Sequence, residues 1–240
     1  MTDNVPLGSD AVSDGLGLSR RELAVARSLD TARARTEDRL QRFLDAALEL
    51  MREGDPVRDF TVQEVVDRSG QSLRLFYQFF GGKHELLLAL FEEIVRTTVD
   101  FLRDRINEEA DSLSRLHRFV VEYHQLCRPL PGVESADRIP SAWMMVDFAQ
   151  QLLTKHAAEA ALAFAPLISL FGELLDDAAR AGAVRDGLSE SPVAGIFLEA
   201  IMFNTFSATI SGTSVRSGAV DPAEELWDLF LNGVGTSGPR

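Results

Sequence analysis

Residues 61–87, TVQEVVDRSGQSLRLFYQFFGGKHELL, constrain the fold more than any other stretch of the chain. They spell a helix, a glycine turn, a short helix ending in aromatics, and the lysine-initiated start of another helix. Thr61 and Glu64 stand at capping-box spacing, the hydroxyl taking one orphan amide of the helix start and the carboxylate returning to another. Phe60 and Val65 are spaced as a hydrophobic staple, and Val62, Val65 and Val66 form one apolar face. Gly70 supplies the left-handed backbone of a tight inter-helix turn, and Ser72 is a candidate cap for the following helix. Helix, short glycine-containing turn and second helix together make a helix-turn-helix, whose second helix enters the DNA major groove.

The remaining pattern is helical. Leu40, Phe43, Leu44, Ala47, Leu48 and Met51 form one stripe of an amphipathic helix from Thr36, which Gly54 ends. A fourth helix starts at Lys83 with Leu86, Leu87, Leu90, Phe91, Ile94 and Val95 on one side, and runs to about residue 107. Further helices are predicted over 111–127, 141–156 and 159–181, with a proline-rich loop at 128–140 and Pro166 as a kink or restart. Ser191-Pro192 opens a helix to about 210, and Asp221-Pro222 opens another to about 232. No segment demands a strand, so the fold class is all-α with about nine helices. The expected organisation is a disordered tail at 1–19, a helix-turn-helix domain at 20–90 and a second helical domain at 91–240. Residues 20–35, with five arginines, read either as an arm tracking phosphates or as a solvated helix extension.

Charge has to be divided along the chain before it bears on nucleic acid. The net formal charge is −13, distributed as −3 over residues 1–19, 0 over 20–90 and −10 over 91–240. A neutral head on an acidic body leaves DNA binding to well-placed contacts more than to a general positive field. No uninterrupted apolar run approaches the roughly 18–20 residues of a membrane span, and MTDNVPLGSD lacks the basic and apolar regions of a signal peptide. No membrane association and a cytoplasmic location are therefore expected. Cys127 is the one cysteine and reads as a small packed side chain; with four histidines there is no zinc-type cluster, so no metal or cofactor is expected. Glu-x-x-His pairs, a nucleophile elbow and a phosphate-cradling glycine loop are all absent, and the expectation is not an enzyme.

The amphipathic first helix, the Thr-initiated second helix, Ser69-Gly70, Tyr77, Phe79-Phe80 and Lys83 followed by Glu85-Leu86-Leu87 carry a resemblance. On these residues 36–95 resembles the DNA-binding domain of the tetracycline-repressor (TetR) family of bacterial transcriptional regulators, and the body is similar in length and layout to that family's ligand-binding and dimerisation domain. The resemblance implies a homodimer on a palindromic operator of double-stranded DNA. It implies base contacts from Leu73, Arg74 and Gln78, with Arg74 reading guanine in bidentate fashion, and phosphate contacts from Thr61, Ser72, Tyr77 and Lys83. Leu75 stands where the family usually has Thr, and Gln71 where a small apolar residue is common. Phe76 and Phe80 are expected in the core of the head.

A small apolar effector is the expected ligand of the body, with pocket candidates Phe101, Phe119, Tyr123, Trp143, Met144, Phe148 and Phe171. His124, with His117 on the same helical face, or Asn204 would orient a polar group of that ligand. Ile196, Ala200 and Phe203, with Leu226, Leu229 and Phe230, form apolar rows expected at an isologous dimer interface. The function expected is a ligand-released repressor; the alternative is a constitutive DNA-binding or protein-interaction dimer without an effector.

Overall fold

A computed structural model describes residues 19–53, 60–127, 145–188, 192–210 and 221–234. Among these the elements are α1 (Arg20–Glu53), α2 (Val62–Ser69), α3 (Leu73–Phe79), α4 (Lys83–Ile106), α5 (Ser112–Cys127), α6 (Val146–Lys155), α7 (Ala157–Arg180), α8 (Val193–Ile210) and α9 (Pro222–Val234). The all-α expectation holds. The tail at 1–18, the loop at 128–140, Gly54, Trp143, Met144 and Ser191 lie outside the described residues.

The backbone divides into two compact units, 1–42 and 43–240. In the first, residues 20–35 are helical. Along it Val25 and Leu29 are exposed, and exposed pairs such as Arg33–Glu37 (2.8 Å) and Arg42–Asp38 (3.0 Å) run at helical i, i+4 spacing.

In the second unit α7 is the central helix of the body, packing against α4, α5, α6 and α8, while α5 also meets α8 and α9. Phe119 stacks on Phe171 at 4.9 Å and on Tyr123 at 5.9 Å, and Phe171 continues to Phe197 at 5.6 Å. α7 is by length and composition apolar enough to cross a membrane, although Glu159 and Glu173 interrupt its apolar run. The reason is its central position, because Leu167, Leu170, Phe171, Leu174 and Leu175 face neighbouring helices and are buried. Pro166 lies inside α7 without ending it. Leu162, whose carbonyl loses its amide partner to the proline, is exposed, so water is available to it.

Local sequence codes build the small helices. Glu64 N–H donates to Thr61 Oγ1 (3.2 Å) and Thr61 N–H to Glu64 Oε2 (2.8 Å), a complete capping box. Thr61→Ala is expected to cost about 1 kcal/mol. Glu64→Ala in the same background should add less than its single effect, because the two bonds form one unit; additive losses in urea melts would contradict this.

Candidate DNA interface and ligand crevice

The turn between α2 and α3 is held at both ends. Gly70 adopts φ 65°, ψ 23° and its N–H returns to the carbonyls of Val66 and Asp67, a conformation costly for residues with a Cβ. Ser72 Oγ accepts from Leu75 N–H at 3.2 Å and so starts α3. Phe76 is fully buried and meets Phe43 edge-on at 5.5 Å and Phe80 at 5.3 Å. That anchor orients the opposite face outward. Leu73 (41% exposed), Tyr77 (57% exposed), Arg74 and Gln78 all stand on the solvent side of α3.

Charge in the head is largely committed internally. Arg68 bonds Glu53 at 2.7 Å and Glu49 at 3.3 Å, and its hydrogen bond holds the Glu53 carboxyl below the ordinary range. Lys83 donates to the carbonyl of Phe60, and its ammonium sits 4.1 Å from the centre of the Phe60 ring. A lysine at a helix start has no favourable dipole partner of its own; here a residue 23 positions earlier supplies the acceptor. Gly81 N–H donates to Glu85 Oε2 at 2.7 Å, tying the linker between α3 and α4 to the first turn of α4. Arg74 is the one cation in α3. Residues 43–90 carry a net −3, whereas residues 20–42 carry +3, from seven arginines against four acids.

The body contains a narrow apolar crevice with a cavity volume of about 20 Å³, part of it open to solvent. Phe91, Ile94, Val95 and Thr98 come from α4, Tyr123 and Cys127 from α5, Ala149 from α6, Phe164 and Leu167 from α7, and Met202 from α8. Burial first, and then the neighbouring Cys127, push the Tyr123 hydroxyl well above its ordinary value; burial pushes the Cys127 thiol up to about 12. Both groups are neutral near pH 7, so the crevice offers an uncharged wall with hydroxyl and thiol dipoles. A thiol raised this far is stabilising while protonated, and that contribution is lost as pH climbs from 9.0 to about 12. Cys127→Ala should flatten that part of the alkaline loss of stability; urea midpoints falling equally with pH in both proteins would contradict it.

The sequence-derived ligand candidates separate in space. Tyr123 lines the crevice, and Phe148 sits beside it at 6.2 Å from Phe91. Phe119 and Phe171 belong to the buried aromatic stack, because their rings fill the α5–α7 contact. Phe101 lies half-buried under the Arg105 guanidinium at 5.5 Å. His124 is buried on α5, and Asn204 is exposed on α8. His117 bonds Glu224 at 2.8 Å and joins α5 to α9. The crevice wall of α4 follows i, i+3, i+4, i+7 spacing, a signal present in the sequence but indistinguishable there from ordinary core. On the dimer rows Ile196 (61% exposed), Leu229 (73% exposed) and Ala200 face solvent, with Phe203 and Leu226 half-buried. Phe230 differs: it is covered within the chain, 4.1 Å from Phe197 and 5.8 Å from Phe171, because α9 turns it toward the stack.

Residues 43–90 match the family model described as bacterial regulatory proteins, tetR family. Among solved structures the chain is similar to the fatty acid degradation regulator FadR from Bacillus halodurans, with 19% identity, TM-score 0.60, and coverage of 80% of this chain and 98% of that one. It is also similar to FadR from Bacillus subtilis in complex with stearoyl-CoA, with 16% identity, TM-score 0.60, and 80% and 98% coverage. A third likeness is to a transcriptional regulator from Saccharomonospora viridis in complex with choline, with 20% identity, TM-score 0.57, and 84% and 100% coverage. No curated protein matches the sequence.

Proposed function

We propose that this chain, whose residues 43–90 match the family model of bacterial regulatory proteins, tetR family, is a member of that family and a ligand-responsive repressor acting as a homodimer on a palindromic operator in the cytoplasm. The observation that carries the reading is the outward face of α3, where Leu73, Arg74, Tyr77 and Gln78 are exposed by the anchor that Phe76 and Phe80 form beneath them. Arg74 reads a base edge, a bidentate guanine contact being the geometry its fork suits. Thr61, Ser72 and Tyr77 hold phosphates, and Lys83 joins them by exchanging the Phe60 carbonyl for a phosphate oxygen. The arginines of residues 20–42 add non-specific phosphate affinity that the acidic segment 43–90 lacks.

Dimerisation runs through α8 and α9, supported by the exposure of Ile196, Ala200 and Leu229 on apolar rows. The effector is a small, uncharged, largely apolar molecule held in the crevice between α4 and α7. The similar regulators bound to stearoyl-CoA and to choline support a body that binds a ligand. As it stands the crevice has about 20 Å³ of cavity volume, close to what a single water needs, so an effector has to widen it on entry and a compact molecule suits it better than a long chain. Because α4 both lines the crevice and follows α3 after a three-residue linker, an occupant that favours one position of α4 shifts the heads between fitting and misfitting successive major grooves.

The test is operator affinity, measured by fluorescence anisotropy, against a panel of neutral apolar compounds. A responsive compound should weaken DNA binding in the native protein. Ala149→Phe, which fills the crevice wall, should remove the response while leaving unliganded DNA affinity within about 2-fold. A response equally strong in Ala149→Phe would refute the crevice as the effector site, and no response to any compound would favour the constitutive dimer.

A further inference from the structure

We propose that His84, His156 and Glu159 form a binding site for a divalent transition-metal ion of the zinc type. One ligand atom from each lies within 4.8 Å of the others. His84 Nε2 is 2.6 Å from Glu159 Oε2, and His156 Nδ1 is 3.7 Å from Glu159 Oε1. The two imidazoles face one another at 4.5 Å between ring centres. Zinc bonds of about 2.0–2.2 Å in a tetrahedron separate neighbouring ligand atoms by about 3.4 Å. The two carboxylate separations bracket that value and the imidazole nitrogens lie within 4.8 Å of each other, so shifts of about 1 Å in the carboxylate and the imidazoles convert the hydrogen-bonded cluster into a coordination shell with one open position for water.

The backbone holds these three groups together for reasons of its own. His156 is the single non-helical residue between α6 and α7, with φ −134° and ψ 54°, and it is fixed by His156 N–H to Leu152 O (2.8 Å) and Ala160 N–H to its own carbonyl (3.0 Å). Glu159 stands in the first turn of α7, and His84 is the second residue of α4. The Phe148 ring, 5.6 Å from His84, supplies an apolar wall on one side. The other sides are half-exposed, so an ion can reach the cluster from solvent.

The donor set selects the metal. Two imidazole nitrogens and one carboxylate suit zinc, cobalt, nickel or copper ions, whereas magnesium and calcium call for oxygen donors. The three residues lie at the first turns of α4 and α7, whose positive ends disfavour any cation held by charge alone and leave strong nitrogen bonding to carry the affinity. A bound ion would clasp the first turn of α4 to the α6–α7 junction. His117 and Glu224 form a similar pair on α5 and α9, but with a single imidazole, and they serve as the internal control.

The experiment titrates Co²⁺, and then Zn²⁺, into the untagged full chain after chelator treatment. Visible d–d absorption should appear and saturate at one equivalent per chain, without a thiolate charge-transfer band, and be bleached by Zn²⁺. His156→Ala and Glu159→Gln should each weaken Co²⁺ binding by about 100-fold or more, and His117→Ala should leave it unchanged. Far-ultraviolet circular dichroism verifies that each variant folds, and either folded variant alone is decisive. Absence of the bands, their persistence at native affinity in His156→Ala or Glu159→Gln, or their loss in His117→Ala would overturn the site.

Discussion

Phe76→Ala is expected to abolish DNA binding by destabilising the head, at a cost of about 3–5 kcal/mol. Phe76 has no exposed surface and is the ring on which Phe43, Tyr77 and Phe80 converge, at 5.5, 5.4 and 5.3 Å. α2 and α3 have eight and seven residues, too short to persist as helices without tertiary packing. Removing the ring therefore leaves a cavity in the part of the chain least able to collapse around it. The body has its own aromatic stack through Phe119, Phe171 and Phe197, so the loss should be regional. Hydrogen exchange should show amides of α2 and α3 deprotected while those of α5 and α7 remain slow. Uniform protection in the variant, or an operator affinity within a few-fold of native, would contradict this.

Arg74→Ala is expected to remove about 1–3 kcal/mol of discrimination at one base pair of each half-site. The residue is exposed on α3 and is the one cation that helix carries. The loss should fall on sequence preference, with operator and scrambled DNA converging in affinity. Arg74→Lys should recover the charge but little of the preference, because an ammonium cannot reproduce the two parallel bonds of a guanidinium. An equal loss on operator and scrambled DNA would reassign Arg74 to a phosphate.

The head is legible in the sequence because its determinants are local. Thr61, Glu64, Gly70 and Ser72 act on amides within four residues of themselves, and spacing alone exposes them. The burial of Phe76 and Phe80 follows from the need of a small head for large core side chains. What escapes sequence reasoning is tertiary. Lys83 finds its acceptor at Phe60, 23 residues away, and no periodicity records that distance. The crevice draws on five helices, so its lining cannot be told from core by the pattern of any one of them, and of its lining residues the sequence singles out only Tyr123. Phe119 and Phe171 have the size of pocket residues, but their stacking on one another commits them to the core. His84, His156 and Glu159 escape for the same reason: His84 and Glu159 are 75 residues apart, and zinc-type spacing is sought within short segments. On α9, Leu229 faces solvent while its neighbour Phe230 turns inward, a distinction set by how α9 rolls against α5.

The proposed two-fold dimer, reading DNA through α3, should leave its symmetry in the sequences it binds. Selection of bound sequences from a random double-stranded library by the purified native protein tests it most directly. The expected result is a palindromic consensus whose half-site centres lie about one helical turn apart, with the most constrained position in each half-site relaxing when the selection is repeated with Arg74→Ala. Recovery of no consensus, or of a single half-site without its inverted mate, would contradict the account.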